Sequence, residues 1–418
     1  MSIFNKKKIK DFFIYGLGQA INLVSPFLVM PFLIYTCGQE NYGKIGVGFA
    51  LALILNSIVD YGSYINGVKE ISINRTNQSI LELKFNAIYL SKLILVLIVL
   101  FLATILIFYV PFFSKDKTTF LLSLFIVAGQ FINPAWFFQG IENFKWISAI
   151  NVISKLIYIA LVLIFIRDKN DFIYANFFLG IGAIIGNTIG LIWLTNHFSF
   201  SFKNFKLEPA LNIIKEEFHF SISQLFLSLY QFFPIILISY LSGNFIAGQF
   251  RVIDQIITVF KTYLNMFFYF VYANICYELD KSYHYGIKVW KQYNSYNFLL
   301  LLVLLFIIFL NSELILSYTK IEKSQVSILT PYFQFALLIP LLTAVSQPLR
   351  QLMFAFNKNS IYIKITLITT ILNFILLLFF VKNMGLKGAF LAIIIVEIII
   401  ILLYTNILIK SHSIRAVE

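Results

Sequence analysis

The sequence predicts an all-α protein that crosses a membrane many times. Only 12% of its 418 residues are charged and 60% are hydrophobic, and the mean hydropathy is +0.85. Soluble domains carry about 25% charged residues. The apolar runs also have the length of about 20 residues that a helix needs to cross a bilayer, whereas barrel strands alternate over about ten residues. These observations predict helical spans.

Twelve apolar stretches are long enough to be spans. The connections between them are short, and the longest separates the sixth span from the seventh. The predicted spans are residues 12–35, 44–65, 85–110, 119–141, 147–166, 172–196, 217–240, 246–275, 295–317, 327–355, 361–381 and 387–409. We expect two six-helix bundles, residues 1–200 and 201–418.

The basic residues of the loops predict the orientation. With both termini inside, 17 lysines and arginines lie in cytoplasmic segments and 9 in outer loops. This asymmetry favours a multi-pass protein of the bacterial inner membrane with the N-terminus and the C-terminus in the cytoplasm. The net charge of +13 does not indicate a nucleic-acid partner, because no long polar domain could hold such a site. Excess positive charge can instead orient loops and attract an anion.

A weak internal repeat predicts that the two bundles are related. Gly38–Gly43 follows the first span and Gly243–Gly248 follows the seventh, an offset of 205 residues. Pro134–Asn143 ends the fourth span and Pro348–Asn357 ends the tenth, an offset of 214. Duplicated halves are typical of transporters, which bind substrate between the repeats near the middle of the membrane.

The eighth predicted span carries charges on one face. At about 100° per residue, one stripe contains Arg251, Asp254, Thr258, Lys261 and Asn265. A charge at the bilayer centre costs about 2.5–3.5 kcal/mol on insertion scales, so such residues usually face a partner or a water-filled cavity. We expect Arg251 and Lys261 to belong to a cationic lumen. Alternatively, Asp254 neutralises Arg251 within the helix and the set is structural.

Two further lysines lie inside predicted spans. Asn151, Lys155 and Tyr158 share one face of the fifth span, and we expect Lys155 to join the cationic lumen. Lys92 lies about two turns inside the third span. We interpret it as a snorkelling residue that reaches the cytoplasmic surface, with a lumen role as the alternative. Arg350 is expected near the inner mouth.

Polar residues and prolines cluster in the first and seventh spans. The prolines Pro26, Pro31 and Pro234 are expected to bend their helices, as hinges or simply as determinants of packing. The candidate polar lining of the cavity comprises Gln19, Asn22, Asn151, Gln224, Ser228, Gln231 and Asp254.

Three carboxylates are candidates for coupling to protons or sodium: Asp60, Asp254 and Glu397. A buried carboxylate can hold a proton, although a structural, hydrogen-bonded Glu397 is the simpler interpretation. Nothing in the sequence indicates an enzyme. The four histidines lack companion ligands for a metal, no glycine-rich phosphate loop is present, and we expect no cofactor.

Four segments resemble O-antigen flippases of the Wzx type. They are GLGQAINLVSPFLVMPFLIYTCGQENYGKIG from Gly16, IVDYGSYINGVKEIS from Ile58, PAWFFQGIENFKWISAINVISKLI from Pro134 and GLKGAFLAIIIVE from Gly385. Their order and spacing carry the resemblance, which runs through most of the chain. Lys92 and Arg350 do not match identifiable positions of that family.

The resemblance implies the V-shaped fold of the multidrug/oligosaccharidyl-lipid/polysaccharide exporters. It also implies translocation of undecaprenyl-pyrophosphate-linked oligosaccharides across the membrane lipid by alternating access, with a polysaccharide polymerase and a chain-length regulator as expected partners. The family typically has a cationic lumen, for which Lys155, Arg251 and Lys261 are the candidates here. The alternative is an ion-coupled multidrug or cation extruder of the same superfamily, which should line its cavity with acids.

Overall fold

The chain is helical almost throughout. The structure is a computed structural model that describes residues 6–201 and 206–415, except for the side chains of 6–15, 17, 19, 23, 219, 273 and 411–415. The described residues contain no strand. The helices up to Ser242 are α1 (Lys6–Cys37), α2 (Gln39–Asp60), α3 (Val68–Ile73), α4 (Gln78–Tyr109), α5 (Pro111–Ser114), α6 (Lys117–Ile132), α7 (Ala135–Gly140), α8 (Phe144–Phe165), α9 (Tyr174–Phe198), α10 (Leu207–Glu216) and α11 (Phe218–Ser242).

Six helices follow in the rest of the described chain. They are α12 (Asn244–Lys281), α13 (Tyr283–Leu310), α14 (Ser312–Tyr318), α15 (Lys323–Ala336), α16 (Leu338–Ala355) and α17 (Asn359–Arg415). A π-helix (Ser63–Gly67) precedes α3, and a 3-10 helix (Lys169–Ile173) precedes α9.

Eleven helical stretches of the described chain are long and apolar enough to cross a membrane. The last, Asn359–Lys410, has 52 residues, about twice the length of one crossing. Gly385 interrupts it with φ 55° and ψ −129°, so this stretch holds both predicted spans 361–381 and 387–409. The predicted all-α fold with multiple membrane spans is confirmed, and the eleven stretches accommodate the twelve predicted spans.

The chain divides into two compact units, Met1–Ile236 and Leu237–Glu418. The division falls inside α11. The predicted bundles 1–200 and 201–418 rest on the sequence repeat, which this division does not test, so their boundary stays a prediction.

Small and polar residues join α2, α6 and α9 in the first unit. Gly48 of α2 lies against Ser123 of α6 and Asn176 of α9. Asn176 Nδ2 donates hydrogen bonds to the Ile45 carbonyl and to Ser123 Oγ, each at 2.9 Å. Lipid tails are as apolar as leucine, so helices in a bilayer associate through close packing and hydrogen bonds of this kind.

An aromatic cluster fixes the short helix α7 against α4. Trp136, Phe137 and Phe138 of α7 are fully buried, as is Phe85 of α4. Phe137 meets Phe85 edge-on, with ring centroids 5.7 Å apart, and Tyr89 lies 5.9 Å from Trp136. This cluster packs the chain segment between α6 and α8 against α4.

The local backbone repeats between the two parts of the chain. Gly38 (φ 83°, ψ 162°) precedes α2 and Gly243 (φ 88°, ψ 166°) precedes α12 in the same conformation, which L-residues avoid. Glu142 (φ 57°) lies just after α7 and Asn357 (φ 56°) just after α16, both in the left-handed region. In each case the amide of the next residue donates to the carbonyl five residues before it, at 2.8 Å. The structure thus pairs residues 142 and 357, an offset of 215, one more than the sequence match. Duplication of the whole half stays a prediction.

We expect Gly180→Ala to destabilise the first unit. A Cβ at Gly180 of α9 would lie 2.5 Å from the carbonyl carbon of Phe125 and 2.7 Å from the amide nitrogen of Ile126. Backbone atoms cannot swing aside, and overpacking costs about 1–3 kcal/mol. The melting temperature of the purified protein in detergent should fall. Gly16→Ala is the control, because nothing lies within 4 Å of that Cβ. Equal melting temperatures for the two variants would contradict the close approach of α9 to α6.

Candidate functional site

The first unit contains a buried charge pair between α2 and α4. Lys92 Nζ lies 3.3 Å from Asp60 Oδ1, and the Lys92 side chain is only 1% exposed. Gln130 of α6 completes the cluster, because its Nε2 lies 3.1 Å from Asp60 Oδ1 and 2.8 Å from Oδ2. Its carbonyl also accepts from Lys92 Nζ at 3.4 Å. Three helices therefore meet at one neutralised carboxylate.

The interpretation of Lys92 as a snorkelling residue is wrong. A snorkelling lysine keeps its ammonium group in water, whereas Lys92 is buried and paired. Asp60, at the end of α2, offers a carboxylate inside the protein, and a buried charge is stabilised by such a partner. The sequence held a signal for this pair, because Asp60 closes the second predicted span and Lys92 lies about two turns inside the third.

A cavity of about 340 Å³ adjoins this charge pair within the first unit. The polar groups that line it include Asn56, Ser57 and Asp60 of α2, Gln130 of α6, and Gln224 and Ser228 of α11. Phe220 and Phe232 of α11 supply apolar surface. Thus α11 brings two of the polar residues singled out in the sequence to the carboxylate of Asp60.

A second cavity, of about 210 Å³, is also lined by Asp60. Its lining includes Asp60, Lys92, Lys84 and Glu70, so it is rich in charge of both signs. Lys84 Nζ and Glu70 Oε2 form an ion pair at 3.0 Å with side chains 36% and 39% exposed. Asp60 therefore lines two cavities, and in the larger one it is the charged residue of the lining.

In the second unit, Arg251 and Asp254 of α12 are close neighbours. Arg251 Nη1 lies 3.8 Å from Asp254 Oδ2, which is the local neutralisation that the structural alternative expected. Lys261, three turns further along the same face, is half-buried, and no ion pair or hydrogen bond is described for it. A lumen role for these residues stays a prediction.

Arg350 and Gln347 of α16 join the charged face of α12. Gln347 Nε2 and Arg350 Nη2 both donate to Asn265 Oδ1, at 2.9 Å and 3.2 Å. The Arg350 guanidinium also lies 4.6 Å from the centroid of the Phe268 ring. Arg350 is a candidate that the sequence analysis placed near the inner mouth but left out of the cationic set. Only the fold could bring it to Asn265, one turn beyond Lys261.

The remaining candidates are placed as follows. Lys155 and Asn151 of α8 are half-buried, and no ion pair or hydrogen bond is described for Lys155. Asn22 of α1 is half-buried and Gln231 of α11 is exposed. The side chain of Gln19 lies outside the described residues. Pro26, Pro31 and Pro234 lie inside α1 and α11, which continue as helices through them, and the hinge role stays a prediction.

Glu397 is held in the second unit by a neighbouring helix. It is 7% exposed, and Ser346 Oγ of α16 donates to its Oε2 at 3.1 Å. This is the arrangement that the structural interpretation of Glu397 expected. Ion coupling through Glu397 stays a prediction.

A protein-family model described as "Polysaccharide biosynthesis protein" matches residues 9–272. The chain belongs to this family. The match covers α1 through most of α12, and hence Asp60, Lys92, Lys155 and Lys261, whereas Arg350 lies beyond it.

Among curated proteins, the chain is 27% identical over 272 residues to a protein of Escherichia coli (strain K12) named "Putative O-antigen transporter". That alignment covers 65% of this chain and 66% of the relative, so the chain matches just under two thirds of the relative's length.

Two solved structures share the fold of this family member. The lipid II flippase MurJ, in an inward closed conformation, matches with a TM-score of 0.72 at 13% identity, over 96% of this chain and 87% of that one. An inward-facing multidrug resistance MATE family transporter of the MOP superfamily matches with a TM-score of 0.65 at 14% identity, over 96% and 95% of the two chains. At such identities the likeness concerns the fold alone.

We expect Lys92→Met to destabilise this family member strongly. The substitution leaves the Asp60 carboxylate without its cation, and breaking a buried pair from one side costs about 3–5 kcal/mol. Lys84→Met is the matched control, because it breaks an exposed pair worth about 1 kcal/mol or less. The melting temperature in detergent should be clearly lower for Lys92→Met than for Lys84→Met. The double variant Asp60→Asn/Lys92→Met should regain much of the melting temperature that Lys92→Met loses. If both single variants melted alike, the buried pair would not stabilise the fold.

Proposed function

We propose that this protein is a flippase for lipid-linked oligosaccharides. It moves undecaprenyl-pyrophosphate-linked repeat units, of the O-antigen or capsule type, from the cytoplasmic to the periplasmic leaflet by alternating access. The proposal is supported by the family, by the name of the E. coli relative and by a fold shared with a lipid II flippase. It places the protein in the bacterial inner membrane with both termini in the cytoplasm, as a transporter without catalysis.

The observation that carries the proposal is the presence of unpaired cations inside membrane-spanning helices. Lys155 of α8 and Lys261 of α12 are half-buried, and no carboxylate partner is described for either. A structural lysine at such a depth finds a partner, as Lys92 does. Cations without partners are stabilised when an anionic ligand arrives, because Coulomb attraction is stronger in the low-dielectric interior than in water.

The chemistry of the proposed substrate matches these groups. A polyprenyl diphosphate sugar combines an apolar tail that stays in lipid, an anionic diphosphate and a polar glycan. Positive charge for the diphosphate is available in each unit by itself, from Lys155 in the first and from Lys261 and Arg350 in the second. The arginine offers several donors in a fixed plane. The amides and hydroxyls of the spans supply hydrogen bonds for the glycan. Transport then requires that the affinity differ between two conformations.

Coupling to protons or sodium remains part of the proposal. Asp60 is the best-placed candidate, because it lines two cavities and is paired with Lys92. A polysaccharide polymerase and a chain-length regulator are the proposed partners, since they act on the same lipid-linked units.

A multidrug or cation extruder is the alternative function. The MATE-like fold is compatible with it, but such a protein should present uncompensated acids to its cargo. Here Asp60 is paired with Lys92, Asp254 with Arg251, and Glu397 is bonded to Ser346. The balance of unpaired charge therefore favours an anionic substrate.

Deleting the gene tests the function directly. We expect lipid-linked repeat units to accumulate on the cytoplasmic side while surface polysaccharide disappears, because synthesis continues without export. Extraction and mass spectrometry of polyprenyl-linked glycans measures this, and complementation with the intact gene is the control. Normal surface polysaccharide together with retention of a cationic dye in the deletion strain would favour the extruder.

We expect Lys261→Ala and Arg350→Ala to abolish surface polysaccharide while the protein still inserts. Each removes a positive charge that we assign to the diphosphate, and the outer-surface glycan is measured by immunoblot. Lys364→Ala is the matched control, because Lys364 is an exposed lysine of a span in the same unit. Undiminished polysaccharide in both alanine variants would count against the cationic site.

A further inference from the structure

We propose that the 340 Å³ cavity of the first unit is a sugar-binding pocket that holds one ring, a neutral hexose or an N-acetylhexosamine, of the transported glycan. This inference rests on the proposed function and deepens it, because it assigns the polar head of the substrate to particular residues. The diphosphate would bind elsewhere, at the unpaired cations.

The cavity is larger than a bare ion needs. At about 30 Å³ for each water molecule, 340 Å³ holds roughly eleven waters. The volume falls at the small end of the range of about 300–1,000 Å³ for ligand pockets, where a single ring rather than an extended chain fits.

The amide of Asn56 is the sharpest sign of a ligand. Asn56 lines the cavity and is only 8% exposed, its Oδ1 is buried without a hydrogen-bond partner, and no described residue bonds to its Nδ2. A buried polar group left unpaired costs about 1–3 kcal/mol. A sugar hydroxyl both donates and accepts, so it can pair with whichever end of this amide faces the cavity.

The other lining groups suit the same ligand. Gln224 and Ser228 face the cavity from α11, and no hydrogen bond within the protein is described for either side chain. Phe220 and Phe232 of the same helix give flat apolar surface for the C–H face of a ring. Ligand pockets typically combine such apolar walls with a few placed polar groups.

The charged groups of the cavity favour neither an anionic nor a cationic ligand. Asp60 is the charged residue of its lining, so a phosphate would meet a carboxylate. That carboxylate already has Lys92 at 3.3 Å and the Gln130 amide at 2.8 Å, so it carries little unbalanced charge for a cation. It retains lone pairs that accept from hydroxyl groups. A neutral polyol is what remains.

Saturation-transfer NMR with methyl glycosides tests the pocket. The purified full-length protein in detergent is mixed with methyl glycosides of glucose, galactose and N-acetylglucosamine, and with tetraphenylphosphonium as a cationic probe. We expect signal transfer to at least one glycoside, and loss of that signal in Asn56→Leu and in Gln224→Leu. Two variants are used because one could fold poorly, and both are first compared with the wild type by size-exclusion chromatography.

Asn373→Leu is the matched control. Asn373 of α17 is also an asparagine, is 1% exposed and has neither side-chain atom hydrogen-bonded, but it belongs to the second unit. Its replacement should leave the glycoside signals unchanged.

Three results would overturn the proposed sugar-binding pocket. The first is no glycoside signal in the wild type, and the second is unchanged glycoside signals in both Asn56→Leu and Gln224→Leu. The third is that these variants lose only the tetraphenylphosphonium signal. Each is distinguishable from failure of the proposed function. Accumulation of lipid-linked units in the deletion strain would still support the flippase even if the pocket were refuted.

Discussion

A charge inside a membrane protein needs a partner, and the Asp60–Lys92 pair shows how this chain meets that requirement. Lys92 comes from α4, Asp60 ends α2, and Gln130 of α6 bonds to both. Because moving either ion alone into a low-dielectric interior is costly, the three helices are most stable when they meet at this point. The 340 Å³ cavity and the aromatic cluster around Trp136 lie in the unit that this contact organises.

The other charges of the spans follow the same physical rule with different outcomes. Arg251 has Asp254 one turn away, and Glu397 is bonded to Ser346. Lys155 and Lys261 are half-buried without a described partner. Paired charges stabilise the fold whether or not substrate is present, whereas unpaired cations gain most when an anion binds. This difference separates residues that we regard as structural from those that we assign to transport.

Hydrophobic run length and helical periodicity predicted most of the fold, since both are local properties of the chain. They gave the spans, the charged face of α12 and the polar face of α11. They could not predict that Lys92 pairs with Asp60. Periodicity shows which residues share one face of a helix, but it does not show which helix packs against that face. For the same reason Arg350 was not linked to Asn265, and Asn56 was not recognised as part of a cavity. The repeated conformation of Gly38 and Gly243 was visible both as a sequence match and as geometry.

The most direct measurement of the central claim is flipping by the purified protein in liposomes. Two fluorescent lipids with the same sugar are compared, one linked through a diphosphate and one through a neutral ether, and a membrane-impermeant quencher reports which leaflet they occupy. Our account predicts that the protein speeds the quenching of inner-leaflet diphosphate lipid and leaves the neutral lipid unchanged. Equal acceleration of both lipids, or of neither, would contradict the role of unpaired cations in moving an anionic glycolipid.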